Sequence, residues 1–145
     1  MKRIITILFA AVLLYAGKSS ATELVPVHVM QTFFETFTNA QNVKWEKRNG
    51  LNIASFTRNG IEQSAVYTER GELIVVARQL SGKEIDPALK TDLEKRFEGY
   101  YATSFFEMKD DNGISYFATV TNGDKEKILK ASRNKWVVLK AKSLK

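Results

Sequence analysis

Three tight-turn signals return in this chain at one fixed spacing, and that repetition constrains the fold more than any other feature. Gly50, Gly60 and Gly71 are matched by Gly113, Gly123 and Asn134, each 63 residues further on. In two of the three cases the dipeptide is Asn-Gly both times: Asn49-Gly50 with Asn112-Gly113, and Asn59-Gly60 with Asn122-Gly123. Asn-Gly suits a type I′ hairpin turn, whose two central residues need positive φ. Three such matches in register point to an internal duplication.

The segments between the turns agree with this. Met30, Phe33, Phe34 and Phe37 follow the i, i+3, i+4, i+7 spacing of an apolar helix stripe. Asp86-Pro87 supplies an N-cap and a first-turn proline, followed by Leu89, Leu93 and Phe97 at spacing four. The same 63-residue offset pairs Met30 with Leu93 and Phe34 with Phe97. Strands are expected at 42–47, 51–58, 61–68 and 72–79, and again at 100–109, 114–121, 125–131 and 135–141. Ser81-Gly82-Lys83 is the linker. The expected fold is α+β: a tandem duplication of a helix plus a four-stranded antiparallel meander, with the helices on one face of the sheet. The repeats run over about 24–80 and 84–142 within a single domain. Helices on one face leave the other face at least partly open to water.

The chain begins Met1-Lys2-Arg3, runs apolar from Ile4 to Ala16, and continues Gly17-Lys18-Ser19-Ser20-Ala21. This reads as a secretory signal peptide over residues 1–21, cut after Ala21. The apolar run of about 13 residues is short of the ~20 that span a bilayer, so no stable membrane anchor is expected after cleavage. Localisation is therefore expected to be periplasmic or secreted. Three of the 22 basic residues leave with the signal while all 16 acids stay, so the exported chain carries 19 − 16 = +3. So mild a charge argues against nucleic acid as a partner. There is no cysteine and only one histidine, His28. Thiolate chemistry is excluded, and most histidine-based metal sites go with it.

No catalytic residue emerges. His28 lies in the first turn of the first helix with no nucleophile or acid pair beside it. Asp110-Asp111-Asn112-Gly113 resembles the start of a calcium loop, but Thr121 stands where the twelfth-position Glu belongs, so it reads as an acidic hairpin turn. No metal and no cofactor are expected. Lys140, Lys142 and Lys145 form a mildly basic tail that solvation explains, or that attracts an acidic partner surface or anionic lipid. The offset lets each strand report on its copy. Val43 and Trp45 correspond to Phe106 and Met108, a shared apolar face that should be core. Phe105 corresponds to polar Asn42, and Ala54 to Phe117, with Phe56 on the side of Ala54. Phe56, Phe105 and Phe117, together with Tyr101, are thus candidate partner-binding residues on an open sheet face. Trp136 corresponds to Leu73 and is expected in the core.

The run Phe37-Thr38-Asn39-Ala40-Gln41-Asn42-Val43-Lys44-Trp45-Glu46, continued by Ala54-Ser55-Phe56-Thr57, Asn59-Gly60, Ala65-Val66-Tyr67 and Gly71-Glu72-Leu73-Ile74, resembles the exported bacterial β-lactamase-inhibitor-like, PepSY-like family. The resemblance covers nearly all of the exported chain. It implies tandem helix–sheet units like those of the β-lactamase inhibitor protein, whose concave sheet surface grips its target enzyme. It implies no catalytic residue. The disulfides of that inhibitor have no counterpart in this cysteine-free chain.

Together these readings lead to a non-enzymatic periplasmic module that binds an unknown protein or peptide through an open sheet face. An inhibitor of a secreted peptidase or other hydrolase is the alternative. A small-molecule pocket between helices and sheet would need space that Phe33, Phe34, Phe37, Trp45 and Phe97 are large enough to fill.

Overall fold

The computed structural model describes residues 24–145, so the expected signal segment lies outside the described residues. Helix α1 spans Val27–Thr36 and is followed by strands β1 (Gln41–Arg48), β2 (Leu51–Arg58), β3 (Ile61–Tyr67) and β4 (Leu73–Leu80). A 3₁₀ turn at Gly82–Glu84 leads to α2 (Pro87–Arg96), then to β5 (Tyr101–Asp110), β6 (Gly113–Thr121), β7 (Lys125–Ser132) and β8 (Lys135–Ser143). The strands follow chain order, β1 to β8, across one sheet. The chain divides into two compact units. The first contains residues 24–79 and Met108–Ile114; the second contains Leu80–Glu107 and Ser115–Lys145. The tip of the β5–β6 hairpin therefore belongs with the first unit, and the boundary does not coincide with repeats at 24–80 and 84–142.

The first core is aromatic. Val29, Phe33 and Phe37 form the buried stripe of α1 and pack on Ala54, Phe56, Ala65 and Tyr67 of the sheet. Phe33 sits at its centre, 5.2 Å from Trp45 and 5.0 Å from Phe56 by ring centroid, both edge-on. The second core packs Leu89, Leu93 and Phe97 on Ala118, Val120, Leu129 and Trp136. The two helices close alike. The Phe37 N–H donates to the Phe33 carbonyl at 2.8 Å, and the Phe97 N–H to the Leu93 carbonyl at 2.9 Å. At its start α2 has the expected cap, with the Asp86 carboxylate accepting from the Ala88 N–H at 2.7 Å and Pro87 next in line.

The 63-residue register fails in both helix and sheet. Buried Val29, Phe33 and Phe37 correspond to Leu89, Leu93 and Phe97, which is 60 residues on. The stripe is therefore Val29–Phe33–Phe37, and Phe34, expected inside, is 51% exposed. In the hairpins the pair Ala54↔Ala65 corresponds to Ala118↔Leu129, which is 64 residues on at both positions. The physical reason lies in the turns. Asn59 and Gly60, with φ of 54° and 74°, make a two-residue turn closed by Arg58↔Ile61. Asn122 and Gly123 sit in a longer turn closed by Thr121↔Glu126, where the Asn122 side chain accepts from the N–H groups of Asp124 and Lys125. The same dipeptide occupies different places in different turns. An odd error in register moves every strand residue to the opposite face. Trp45 packs toward its own helix, against Phe33, whereas Met108 by alternation shares the side of Phe106, which is stacked on Phe117 and turned away from α2. Trp136 is core as expected, but Leu73, its supposed counterpart, is exposed.

One carboxylate ties α2 to the sheet. Asp92 accepts from Arg96 Nε at 2.8 Å and from the Trp136 backbone N–H at 2.8 Å. The Arg96 hydrogen bonds, with help from the Trp136 N–H and against a desolvation cost, hold the Asp92 carboxyl below the usual carboxylate range. A depressed folded-state pKa contributes stability that is present above the unfolded pKa and lost as pH falls through the folded one. Asp92→Asn is therefore expected to be less stable than the parent at neutral pH. That difference should shrink as pH drops below ~4, the ordinary aspartate value. Urea midpoints measured across this range check it, and a difference independent of pH would contradict the assignment.

Candidate functional site

The side of each strand turned away from its helix is the surface of interest. In the first unit Asn52, Ala54 and Phe56 of β2 face α1, so Ile53 faces away; Val66, paired with Ile53, does the same, and Val75 pairs with Val66. Ala77, paired with Ser64, completes this set. In the second unit Ala118, Val120 and Leu129 face α2, so Phe117 and Ile128 face away. Phe106 stacks on Phe117 with centroids 5.1 Å apart and planes within 5°. Sheets with a helix on one side commonly alternate apolar inside with polar outside. Here the second side is apolar as well, and Ile53, Val66, Val75, Ala77, Phe106, Phe117 and Ile128 are all buried.

This corrects three of the four expected anchors. Phe56 belongs to the core beneath α1, with its ring 4.8 Å from that of Phe37, and is 4% exposed. Phe105 packs against the core beneath α2, its ring 6.3 Å from Trp136. Tyr100, Ala102 and Phe105 all pack on that core, so the alternation of β5 breaks between Ala102 and Phe105. That break put Phe105 on the helix side. Phe117 does face away from the helix, but it is fully buried there. Tyr101, between two residues that face α2, points to the other side and is 62% exposed. Val137, opposite Lys130, joins it there at 48% exposure. The structure thus brings Phe117 and Tyr101 to one side of the second unit and sends Phe56 and Phe105 to the other sides of their strands.

The residues that sequence reasoning missed had left a signal. Ala65-Val66-Tyr67, Ile74-Val75-Val76-Ala77 and Phe117-Ala118 are unbroken apolar runs, the pattern of strands buried on both faces rather than one.

His28 acts as a fastener. Its Nε2 is 2.8 Å from the Glu69 carbonyl in the β3–β4 turn, and its ring lies beside Gly71, where a Cβ would come within 3.3 Å of Cδ2. Asp110 accepts from the Asn112 N–H at 2.7 Å, closing the acidic turn on itself. The Tyr67 phenol is pushed above its ordinary pKa by burial, with Thr36 opposing; its hydroxyl makes no hydrogen bond of normal geometry, and the Thr36 hydroxyl donates to the Thr32 carbonyl at 2.8 Å. It lies inside a packed aromatic core. Among the described residues no group of three or more His, Cys, Asp or Glu is arranged to hold a metal ion, and no helix is long and apolar enough to cross a membrane.

Comparison with known proteins places this architecture. A BLIP-like protein from Bacteroides fragilis matches over 86% of this chain and 89% of its own, with 16% identity and a TM-score of 0.66. A protein named as periplasmic from Bacteroides eggerthii matches over 83% and 90%, with 14% identity and a TM-score of 0.72. A DUF2874 family protein from Bacteroides uniformis matches over 83% and 91%, with 13% identity and a TM-score of 0.71. No family model and no curated protein matches the sequence. The chain has the BLIP-like fold.

Proposed function

We propose that this chain is an exported, non-enzymatic periplasmic protein that docks a protein or peptide on the sheet side of its second unit turned away from α2. The observation that carries the reading is the pair of exposed apolar side chains on that side, Tyr101 and Val137. The signal-like pattern of residues 1–21 and the name of the B. eggerthii neighbour support the compartment. The helix stripes correspond at 60 residues and the hairpin pairs at 64, and this correspondence of like elements supports descent of the two halves from one PepSY-like unit. Phe56 and Phe105 have no part in this reading.

A photo-reactive residue at Tyr101 or Val137 should cross-link a discrete partner in the native periplasm, while one at Lys95, exposed on α2, should not. Tyr101→Ser should weaken capture by about 1–2 kcal/mol, the scale of a peripheral aromatic contact. Equal labelling from Lys95, or none from either sheet position, would remove the reading.

The name of the B. fragilis neighbour favours one specific alternative, an inhibitor of a secreted hydrolase. Micromolar protein assayed against a panel of periplasmic peptidases and β-lactamases tests it, and no inhibition in any assay counts it out.

A further inference from the structure

Charge is distributed unevenly between the units. The described residues of the first unit carry seven cations and seven anions, a net of zero. Within the second unit, Asp124–Lys145 carries eight lysines and arginines against Asp124 and Glu126 alone, a net +6, while the rest of that unit is −2. Both acids are already engaged inside the segment. Lys142 pairs with Glu126 at 3.0 Å and Lys145 with Asp124.

This segment is also the end of the sheet. Strand β8 is last in the order and pairs with β7. At Trp136 its main chain points outward, where α2 covers it: the N–H donates to Asp92 and the carbonyl accepts from Arg96. Alternation makes Val138 the next residue with outward-pointing N–H and C=O, and the extra residue Leu139, between the pairs Leu129↔Val138 and Ile128↔Lys140, resets the pattern so that Ala141 and Ser143 follow. Beyond it come Lys140 and Lys142, and Val137 and Val138 are each about half exposed. The chain itself thus serves this edge with a carboxylate where α2 reaches it.

We propose that the outer edge of β8, from Val138 onward, accepts an extended acidic polypeptide segment as an added strand. Protection of the edge against aggregation would be met by lysines on β8 alone. Yet Lys125, Lys127 and Lys130 lie on the inner strand β7. Geometry favours a strand over a lipid surface. The Lys127 ammonium lies 4.4 Å from the Tyr100 ring centroid, on the α2 side, whereas that of Lys130 lies 5.6 Å from Phe117, on the opposite side. A planar membrane meets one side of a ribbon. A strand lies in the plane of the sheet and projects alternate side chains to both sides. This edge adjoins the surface proposed above at Val137, and the two are told apart by their tests: cross-linking from Tyr101 reads that surface, and peptide-induced amide shifts on β8 read this edge.

The test uses the exported chain and labelled peptides of alternating Glu and Thr, with Gln–Thr twins. The acidic peptide should bind, with affinity falling about tenfold between low and physiological salt as the charges are screened. Val138 and Ala141 amides should shift in nuclear magnetic resonance spectra during the titration. Lys130→Gln combined with Lys140→Gln should weaken binding about tenfold while leaving the fold intact by circular dichroism. Lys140→Gln alone, at an exposed position, keeps the test valid if the double variant is destabilised. Equal binding of the Gln–Thr peptide overturns the proposal. So do acid-dependent shifts confined to residues outside β7 and β8, or phosphatidylglycerol vesicles that bind in a Lys140-dependent way while the peptide does not.

Discussion

Phe33→Ala is expected to lower stability by about 3–5 kcal/mol, the range for removing a buried aromatic ring and leaving a cavity. Phe33 has no exposed surface and lies within 5.0–5.2 Å, centroid to centroid, of Phe34, Phe37, Trp45 and Phe56. Edge-on ring pairs add to the area term. Packed rings cannot close the gap without moving a helix. Phe34→Ala, one position along, is expected to cost less than about 1 kcal/mol, because its ring is half in water. Urea denaturation of the two variants, with unchanged m-values, checks the contrast. Similar losses from both would mean that α1 is rotated from the orientation described.

The second large effect is expected at Trp136. Its indole Nε1–H donates to the Leu89 carbonyl at 2.9 Å, its backbone N–H to Asp92, and its side chain is 1% exposed. Trp136→Ala should cost about 3–5 kcal/mol. Trp136→Phe retains most of the apolar volume but withdraws the indole donor, and should cost about 1–2 kcal/mol. Hydrogen exchange distinguishes where the loss falls. Amides of α2 and β8 should exchange faster in Trp136→Phe, while those of α1 and β2 keep their protection. Uniform acceleration across both units would contradict a role local to the α2 clasp.

Much of this fold was legible in the chain. The strands begin and end within a few residues of where the turn dipeptides place them, because Gly, Asn and Pro act on the backbone locally. Asp86-Pro87 started α2 as expected for the same reason. The candidate surface was less legible, since it depended on parity. Asn122-Gly123 looks like Asn59-Gly60, but the turns around them differ in length, and one residue of slip exchanged the two sides of β6. Phe117 was placed correctly away from the helix but judged exposed; Phe56, paired with it, faced the other way. Asn42, at φ 54° beside an irregular step in β1, and the break between Ala102 and Phe105 in β5 defeated alternation in the strands that open each half.

What the residues determined alone is whatever short-range chemistry decides: among the described residues two helices, eight strands and their turns, and for the whole chain the absence of thiol chemistry. Tertiary structure decided which side of each element is inside. It turned Phe33 inward and Phe34 outward, set Trp136 under Asp92 and Arg96, and buried the strand side that no helix covers. The physical reason is that hydrophobicity tells a residue to leave water without naming the neighbour it must leave water to join. That choice is made by cross-strand pairing, and pairing depends on turns whose length a dipeptide does not specify.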